Sequence, residues 1–286
     1  MRSKSSTDGT AASGPSARGR NPDLLVRTVS ALVLGPAVLL LAYLGGWFFL
    51  ALLLLLAAGA VVEWVRLVAP GRHRAALAVA LAGTSGAILA GILSGAGTGL
   101  AVAVAAMLAL YPVARHGGAG HAWLVAFAVP YVGFGALALA WLRDRPEQGL
   151  GLLTYILLVV WATDIGAYAA GRTIGGPKLA PRISPKKTWA GLLGGMAAAA
   201  ATGYAVAAAF GAAGPGTAAL LGAALAVVAQ AGDLFESAIK RRFDVKDSGR
   251  LIPGHGGLLD RIDGLIAAAP VFALFHAAWG ASASWW

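Results

Sequence analysis

Apolar runs of about 20 residues recur along almost the whole chain, separated by short polar breaks. They fall at about 28–44, 46–68, 75–94, 98–114, 121–142, 149–171, 188–210, 215–239 and 262–281, which makes nine segments. Each is long enough to cross a bilayer as a helix. In lipid a segment must satisfy its own backbone hydrogen bonds, so runs rich in Ala, Leu and Gly predict helices. The pattern therefore predicts an all-α, polytopic integral membrane protein with about nine transmembrane helices. Only Gly45-Gly46 separates the first two segments, which predicts a tight antiparallel pair. Residues 1–22 are polar and rich in Ser, Gly, Ala and Arg, with nothing to bury, and are expected to form a disordered tail. That tail fits a secretory signal poorly. No repeat of 20–50 residues is evident, which argues against an inverted-repeat transporter.

Composition supports this picture. The 286 residues are 58% hydrophobic, with a mean hydropathy of +0.75, which excludes a soluble domain. The 40 glycines suit close helix contacts in lipid, where small residues let backbones approach. With no cysteine, disulfides and Cys-ligated zinc are excluded. A net charge of +10 fits anionic headgroups and membrane orientation better than nucleic acid. With nine spans and the N-terminus inside, 20 of the 22 Lys and Arg residues face the cytoplasm. Only Arg143 and Arg145 fall outside, and the charged stretches 172–187 and 240–261 face inward. Trp285-Trp286 is then expected at the outer interface.

Charge is concentrated. Residues 230–264 hold six of the twelve acids (Asp233, Glu236, Asp244, Asp247, Asp260 and Asp263) and six of the basic residues. Asp233 and Glu236 follow the apolar run 218–231, near the inner end of a membrane helix, where a carboxylate is costly unless it binds something. Asp233, Glu236 and Lys240 share one helix face by spacing. A water-facing ladder of Glu236 with Lys240 is a sufficient account of that pair. Asp233 has no cation one turn before it, and a metal is the expected partner. Asp260 and Asp263 open the last apolar segment; one acid there would satisfy the helix dipole, and two suggest a polar pocket. Mg²⁺ favours a few carboxylates plus substrate phosphates. Asp233 and Asp260 are the candidate pair, drawn from two helices meeting at the cytoplasmic rim.

Two stretches read as anion-binding. Pro253-Gly254-His255-Gly256-Gly257 lets backbone N–H groups come close to an anion, and His255 suits phosphate contact or loop packing rather than metal. The second runs from Asp164, an acid inside an apolar run, through Arg172 to Ser184-Pro185-Lys186-Lys187-Thr188. That turn places cations beside helix N–H groups, an arrangement suited to phosphate, although Lys186 and Lys187 also fit as ordinary inner flanks. Arg172 is a candidate partner for Asp164 or for a lipid phosphate. Glu63 in VVEWVRLV is expected to pair with Arg66 at i+3 rather than to act in catalysis.

The pattern from Ser237 through Lys240-Arg241, Lys246-Asp247, Pro253-Gly254-His255-Gly256-Gly257 to Asp260-Arg261-Ile262-Asp263 closely resembles the phosphatidate cytidylyltransferase signature. The stretch from Asp164 to Thr188 also resembles that family, whereas the chain before it does so only through hydropathy. Ala190 stands where the family often has an acid, which weakens any carboxylate role there. The resemblance implies a membrane enzyme making CDP-diacylglycerol from CTP and phosphatidic acid, dependent on Mg²⁺, with a second cation such as K⁺, and homodimeric. It implies that Asp233 and Asp260 are metal ligands. Lys186, Lys187 and Lys240 are expected to join those two acids in catalysis. Substrate contacts are expected from Asp164, Arg172, Ser184, Thr188, Ser237, Arg241, Lys246, Asp247, His255, Gly256, Gly257, Arg261 and Asp263. The chain then divides into the tail 1–22, N-terminal membrane helices 23–147 and a C-terminal catalytic membrane domain 148–286.

Other readings fit less well. CDP-alcohol phosphotransferases match Asp260-Arg261-Ile262-Asp263-Gly264 through Ala267, but Ala268 replaces the required arginine and no G-x3-D-x3-D follows. A CTP-dependent polyprenol kinase would also need a CTP site, but not the full 237–263 pattern. An ion-coupled transporter would use Asp164 and Asp233 as carriers; their position near basic inner loops suits a surface-facing pocket better.

Overall fold

The computed structural model describes residues 22–71, 73–249, 251, 256–279 and 285–286, with side chains from residue 33 onward. The proposed tail up to residue 21 lies outside the described residues. Nine helices are present among them: α1 Pro22–Leu44, α2 Gly46–Val68, α3 Arg74–Ser94, α4 Ala96–His116, α5 Ala122–Arg143, α6 Gly149–Thr173, α7 Trp189–Ala209, α8 Pro215–Arg242 and α9 Leu259–Trp279. Eight of these, α2 to α9, are long and apolar enough to cross a membrane, and α1 contributes the apolar stretch Val33–Leu44. The helix ends agree with the hydropathy pattern to within a few residues, except that α1 starts at Pro22 rather than about residue 28. The chain breaks between α1 and α2 at Gly45, whose φ of 64° lies where a side chain would be strained. Arg143, at the end of α5, secures this corner by donating to the carbonyls of Ala42 at 2.7 Å and Tyr43 at 3.0 Å.

α5 is the central helix. It is buried along most of its length and contacts α2, α3, α4, α6 and α9. Trp64 of α2 is fully buried and donates from Nε1 to the carbonyl of Leu124 at 2.7 Å, which fixes α2 against α5. α6, α7 and α8 pack through small residues. A Cβ on Gly194 of α7 would run into Ala170 of α6, so glycine is what allows the approach. Where α8 crosses α9, a Cβ on Gly232 would lie 2.5 Å from that of Ala267 and 2.9 Å from the carbonyl oxygen of Asp263. This tight crossing brings Asp233 beside the start of α9.

Two expectations need correction. The stretch 178–188 is not only a turn. It forms a short antiparallel hairpin, β1 Lys178–Ala180 with β2 Ser184–Thr188, pairing Lys178 with Thr188 and Ala180 with Ser184. The ring of Trp285 does not face outward. It is 2% exposed and packs on Phe272, Phe275, His276 and Tyr155, because the C-terminus folds back so that its carbonyl accepts from Gly214 N at 3.2 Å.

Candidate active site

Four elements meet where the C-terminal half of α8 crosses the start of α9. α8 presents Asp233, Glu236, Ser237 and Lys240 along one face, as i, i+3, i+4 and i+7 spacing dictates. α9 contributes Asp260 in its first turn and Asp263 one turn later. β2 supplies Lys187, and α6 supplies Asp164.

The site is built on two lysine–carboxylate pairs. Lys187 Nζ lies 2.7 Å from Asp233 Oδ2 and 3.5 Å from the carbonyl of Gln230, while Ser237 Oγ donates to Asp233 Oδ1 at 3.2 Å. Lys240 Nζ lies 2.5 Å from Asp260 Oδ1 and 3.5 Å from Glu236 Oε1. Asp260 Oδ2 accepts from the backbone N–H groups of Ser248 and Gly257, both at 3.0 Å. Glu236 is fully buried, and neither of its oxygens receives a hydrogen-bond donor; its carboxyl lies against that of Asp263. Two touching carboxyls require a proton or a cation between them. Asp164 completes the group, facing Asp233, Lys187 and Arg261.

These contacts revise several expectations. Glu236 and Lys240 pair, but they are 0% and 9% exposed and do not face water. Asp233 does have a cation, Lys187, which the fold supplies from 46 positions upstream. Arg172 donates to the hydroxyl of its own helix neighbour Tyr168 at 2.6 Å, not to Asp164. Glu63 does not pair with Arg66. It is buried and accepts from Ser248 Oγ at 3.2 Å and from Leu259 N at 2.8 Å, so α2 holds both sides of the glycine-rich loop.

The remaining candidates surround this core. Thr188 caps α7, its Oγ1 accepting from Gly191 N at 3.0 Å, and Ser184 opens β2. Lys186 is exposed beside the partly buried Lys187. Arg241 reaches the carbonyls of Ile183 at 3.4 Å and Val245 at 3.3 Å, joining hairpin to loop. Lys246 and Asp247 are exposed, and Asp247 approaches Gly256. Gly256 has a φ of 82°, which explains glycine there. Gly257 is held by Asp260, and His255 lies outside the described residues.

Five carboxyls (Asp164, Asp233, Glu236, Asp260 and Asp263) face three cations (Lys187, Lys240 and Arg261). Two more acids than bases, with Glu236 against Asp263, leave a place for a shared proton or a divalent cation. Among the described residues no three acidic or histidine side chains form a metal cage.

Sequence reasoning missed Glu63, Ser248 and Tyr131. A lone acid inside the apolar run of α2 was the available signal for the first. Its partners are 185 and 196 positions away, beyond any local pattern.

Membrane-spanning helices that converge on a pocket of paired lysines and surplus acids define an integral membrane enzyme for anionic phosphate substrates. The chain belongs to the Cytidylyltransferase family, whose family model matches residues 25–279, and it is thus a nucleotidyltransferase. The match extends well upstream of the 164–264 region that carries the motif resemblance. A phosphatidate cytidylyltransferase of Brucella suis is 41% identical over 257 residues, covering 89% of this chain and 94% of the relative. One of Pseudomonas aeruginosa is 49% identical over 135 residues, covering 46% of this chain and 50% of the relative. One of Bacillus subtilis is 41% identical over 149 residues, covering 51% of this chain and 55% of the relative.

Proposed function

We propose that the protein transfers the cytidylyl group of CTP to phosphatidic acid, giving CDP-diacylglycerol and pyrophosphate in phospholipid biosynthesis. The observation that carries this reading is the surplus of buried acid around Asp233, Glu236 and Asp263, flanked by Lys187 and Lys240. The proposed orientation puts the N-terminus and this pocket on the cytoplasmic side of a bacterial-type inner membrane. The proposed assembly is a homodimer, and K⁺ is the proposed second cation.

Asp233 and Asp260 would hold Mg²⁺, which when bound neutralises nucleotide phosphate charge and aligns the reacting groups. A phosphate oxygen of the lipid forms a bond to the α-phosphorus of CTP, and the bond from that phosphorus to the β-phosphate oxygen breaks, releasing pyrophosphate. The nucleophile is already ionised near neutral pH, so no Ser–His–Asp arrangement is needed. Lys187 and Lys240, paired with Asp233 and Asp260, would offset the charge of the triphosphate and of departing pyrophosphate. Exposed Lys186 and Arg241 extend that positive rim. Gly257 and Ser248 N–H groups, locked by Asp260, fix the loop in place.

Purified protein given phosphatidic acid and CTP labelled at either phosphorus end discriminates the readings. Mg²⁺-dependent transfer of α-label into lipid, with γ-label in pyrophosphate, is expected. With a polyprenol offered as a second acceptor, transfer of γ-label into it identifies a kinase, and no turnover with either acceptor leaves ion-coupled transport.

A further inference from the structure

Between Asp164 and Asp233 the chain holds no acid, yet that interval carries five of the basic residues. Arg172, Lys178, Arg182 and Lys186 are exposed there, along the end of α6 and the β1–β2 hairpin. Arg241, Arg242 and Lys246 are exposed where α8 finishes, at the same end of the bundle. Among the described residues none of these cations forms an ion pair. The exposed acids beside them are Asp244 and Asp247, in the loop after α8, which leaves a surplus of five positive charges. Large apolar side chains stand exposed at this end as well: Tyr168 on α6, Ile174 just beyond it, and Trp189 at the first position of α7. Cations mixed with outward aromatic and aliphatic side chains match the level of lipid headgroups.

Orientation during insertion needs only a bias in charge, not a folded carrier for it. Here the carrier is folded and tied down. Trp189 N donates to the carbonyl of Pro177 at 3.1 Å, and Arg241 Nε donates to the carbonyl of Ile183 at 3.4 Å. Lys187, next to the end of β2, is held 2.7 Å from Asp233. The exposed cations thus sit on a fixed scaffold, which loses less freedom on contact than a loose loop would. A nucleotide is anionic too, but it is small, and Lys187 and Lys240 stand in the pocket to meet its charge. Seven unpaired cations spread over α6, the hairpin and the end of α8, with apolar side chains among them, fit an extended anionic surface. We propose that this face rests on the anionic phospholipid headgroups of the leaflet around it, lipids distinct from the molecule being converted. The inference goes beyond the transfer reading and does not depend on it.

The chain has no cysteine, so Pro181→Cys at the exposed hairpin turn gives a single labelling site in the full-length protein without removing a charge. The variant carries a nitrobenzoxadiazole label and is placed in nanodiscs of phosphatidylcholine with increasing phosphatidylglycerol. Emission should move to the blue as phosphatidylglycerol is added, and the shift should shrink at high salt, because exposed charges are screened. Adding Lys178→Gln and Arg182→Gln should weaken the apparent affinity for phosphatidylglycerol about thirtyfold, at about fivefold per cation. Asp244→Asn removes an exposed acid and keeps a residue type that tolerates its φ of 53°, and should strengthen that affinity about fivefold. Emission indifferent to phosphatidylglycerol, or a shift that neither set of substitutions moves, would overturn the proposal. A shift produced by CTP on phosphatidylcholine alone, and not by phosphatidylglycerol, would overturn it in favour of nucleotide steering. Should the glutamine variant fail to fold, the Asp244→Asn arm decides by itself, since an unmoved titration there contradicts a charge-driven contact. The label reads contact without turnover, so a protein that makes no lipid product from CTP sinks the transfer reading and leaves this shift in place.

Discussion

Glu63→Ala should release the glycine-rich loop while leaving the helices in place. The wild-type carboxylate receives two hydrogen bonds, from Ser248 Oγ at 3.2 Å and from Leu259 N at 2.8 Å. Ser248 is also held through its backbone N–H by Asp260, so one residue is fixed by two acids from different helices. Alanine leaves a buried hydroxyl and the first amide of α9 without an acceptor, at about 1–3 kcal/mol each, or roughly 2–6 kcal/mol together. Water entering the vacated space reduces this, so about 3 kcal/mol is the working figure. If that energy is lost locally, amide exchange of residues 248–259 should accelerate by about a hundredfold, at 1.4 kcal/mol per tenfold. Glu63→Gln keeps one acceptor oxygen and should cost about 1 kcal/mol, with a correspondingly smaller increase. Hydrogen exchange with mass spectrometry reads the segment directly, and steady-state kinetics should show turnover falling in the same order, Ala below Gln. Wild-type exchange of the 248–259 segment in Glu63→Ala would refute the clamp, whatever happened to activity.

Two further substitutions probe the pocket. Asp233→Asn should abolish Mg²⁺-dependent turnover while the protein still inserts and purifies; near-normal turnover removes Asp233 from the metal set. Lys240→Met leaves Asp260 and buried Glu236 without their shared cation, a loss of about 3–5 kcal/mol for a buried pair, so thermal stability in detergent should fall clearly and the double variant Lys240→Met with Glu236→Gln should recover part of it. An unchanged melting temperature in the single variant would show that the pair contributes nothing.

Why some of this was legible in the sequence and some was not follows from the range of the interactions. Helix limits depend on local apolar length and on glycine breaks, so α2 at Gly46–Val68 coincides with its hydropathy segment. The acids of α8 and α9 stand out because carboxylates are rare in apolar runs. The 178–188 hairpin did not stand out, because a three-residue strand and a strand containing Pro185 carry no alternating apolar signal. Partner choice was the main failure. Glu63 had a plausible local partner in Arg66 and Arg172 had one in Asp164, whereas the fold pairs Glu63 with a loop 185 residues away. Spacing along a helix lists which groups can meet, and tertiary packing decides which do. Trp285 shows the same limit, since only the fold reveals that the terminus turns back into the core.

This range of contacts also bears on the division of the chain. Motif resemblance places the chemistry in residues 148–286, yet Glu63 and Tyr131, which clamp the loop and border the acids, lie in the first half. Leu259 and Ile266 of α9 are buried in the same cluster as α2 and α5, so the half that bears the acids packs the start of α9 against its neighbour as well as against its own core. A bilayer does not supply what is missing, because lipid cannot donate the carboxylate that Ser248 and Leu259 N require. Residues 148–286 expressed alone should therefore insert but show no cytidylyl transfer, and co-expression with residues 1–147 should restore it, since the junction falls in the short connection between α5 and α6. Turnover by the C-terminal half alone, at a rate within about tenfold of the intact chain, would show that the clamp from α2 is dispensable and that the acids hold their geometry unaided.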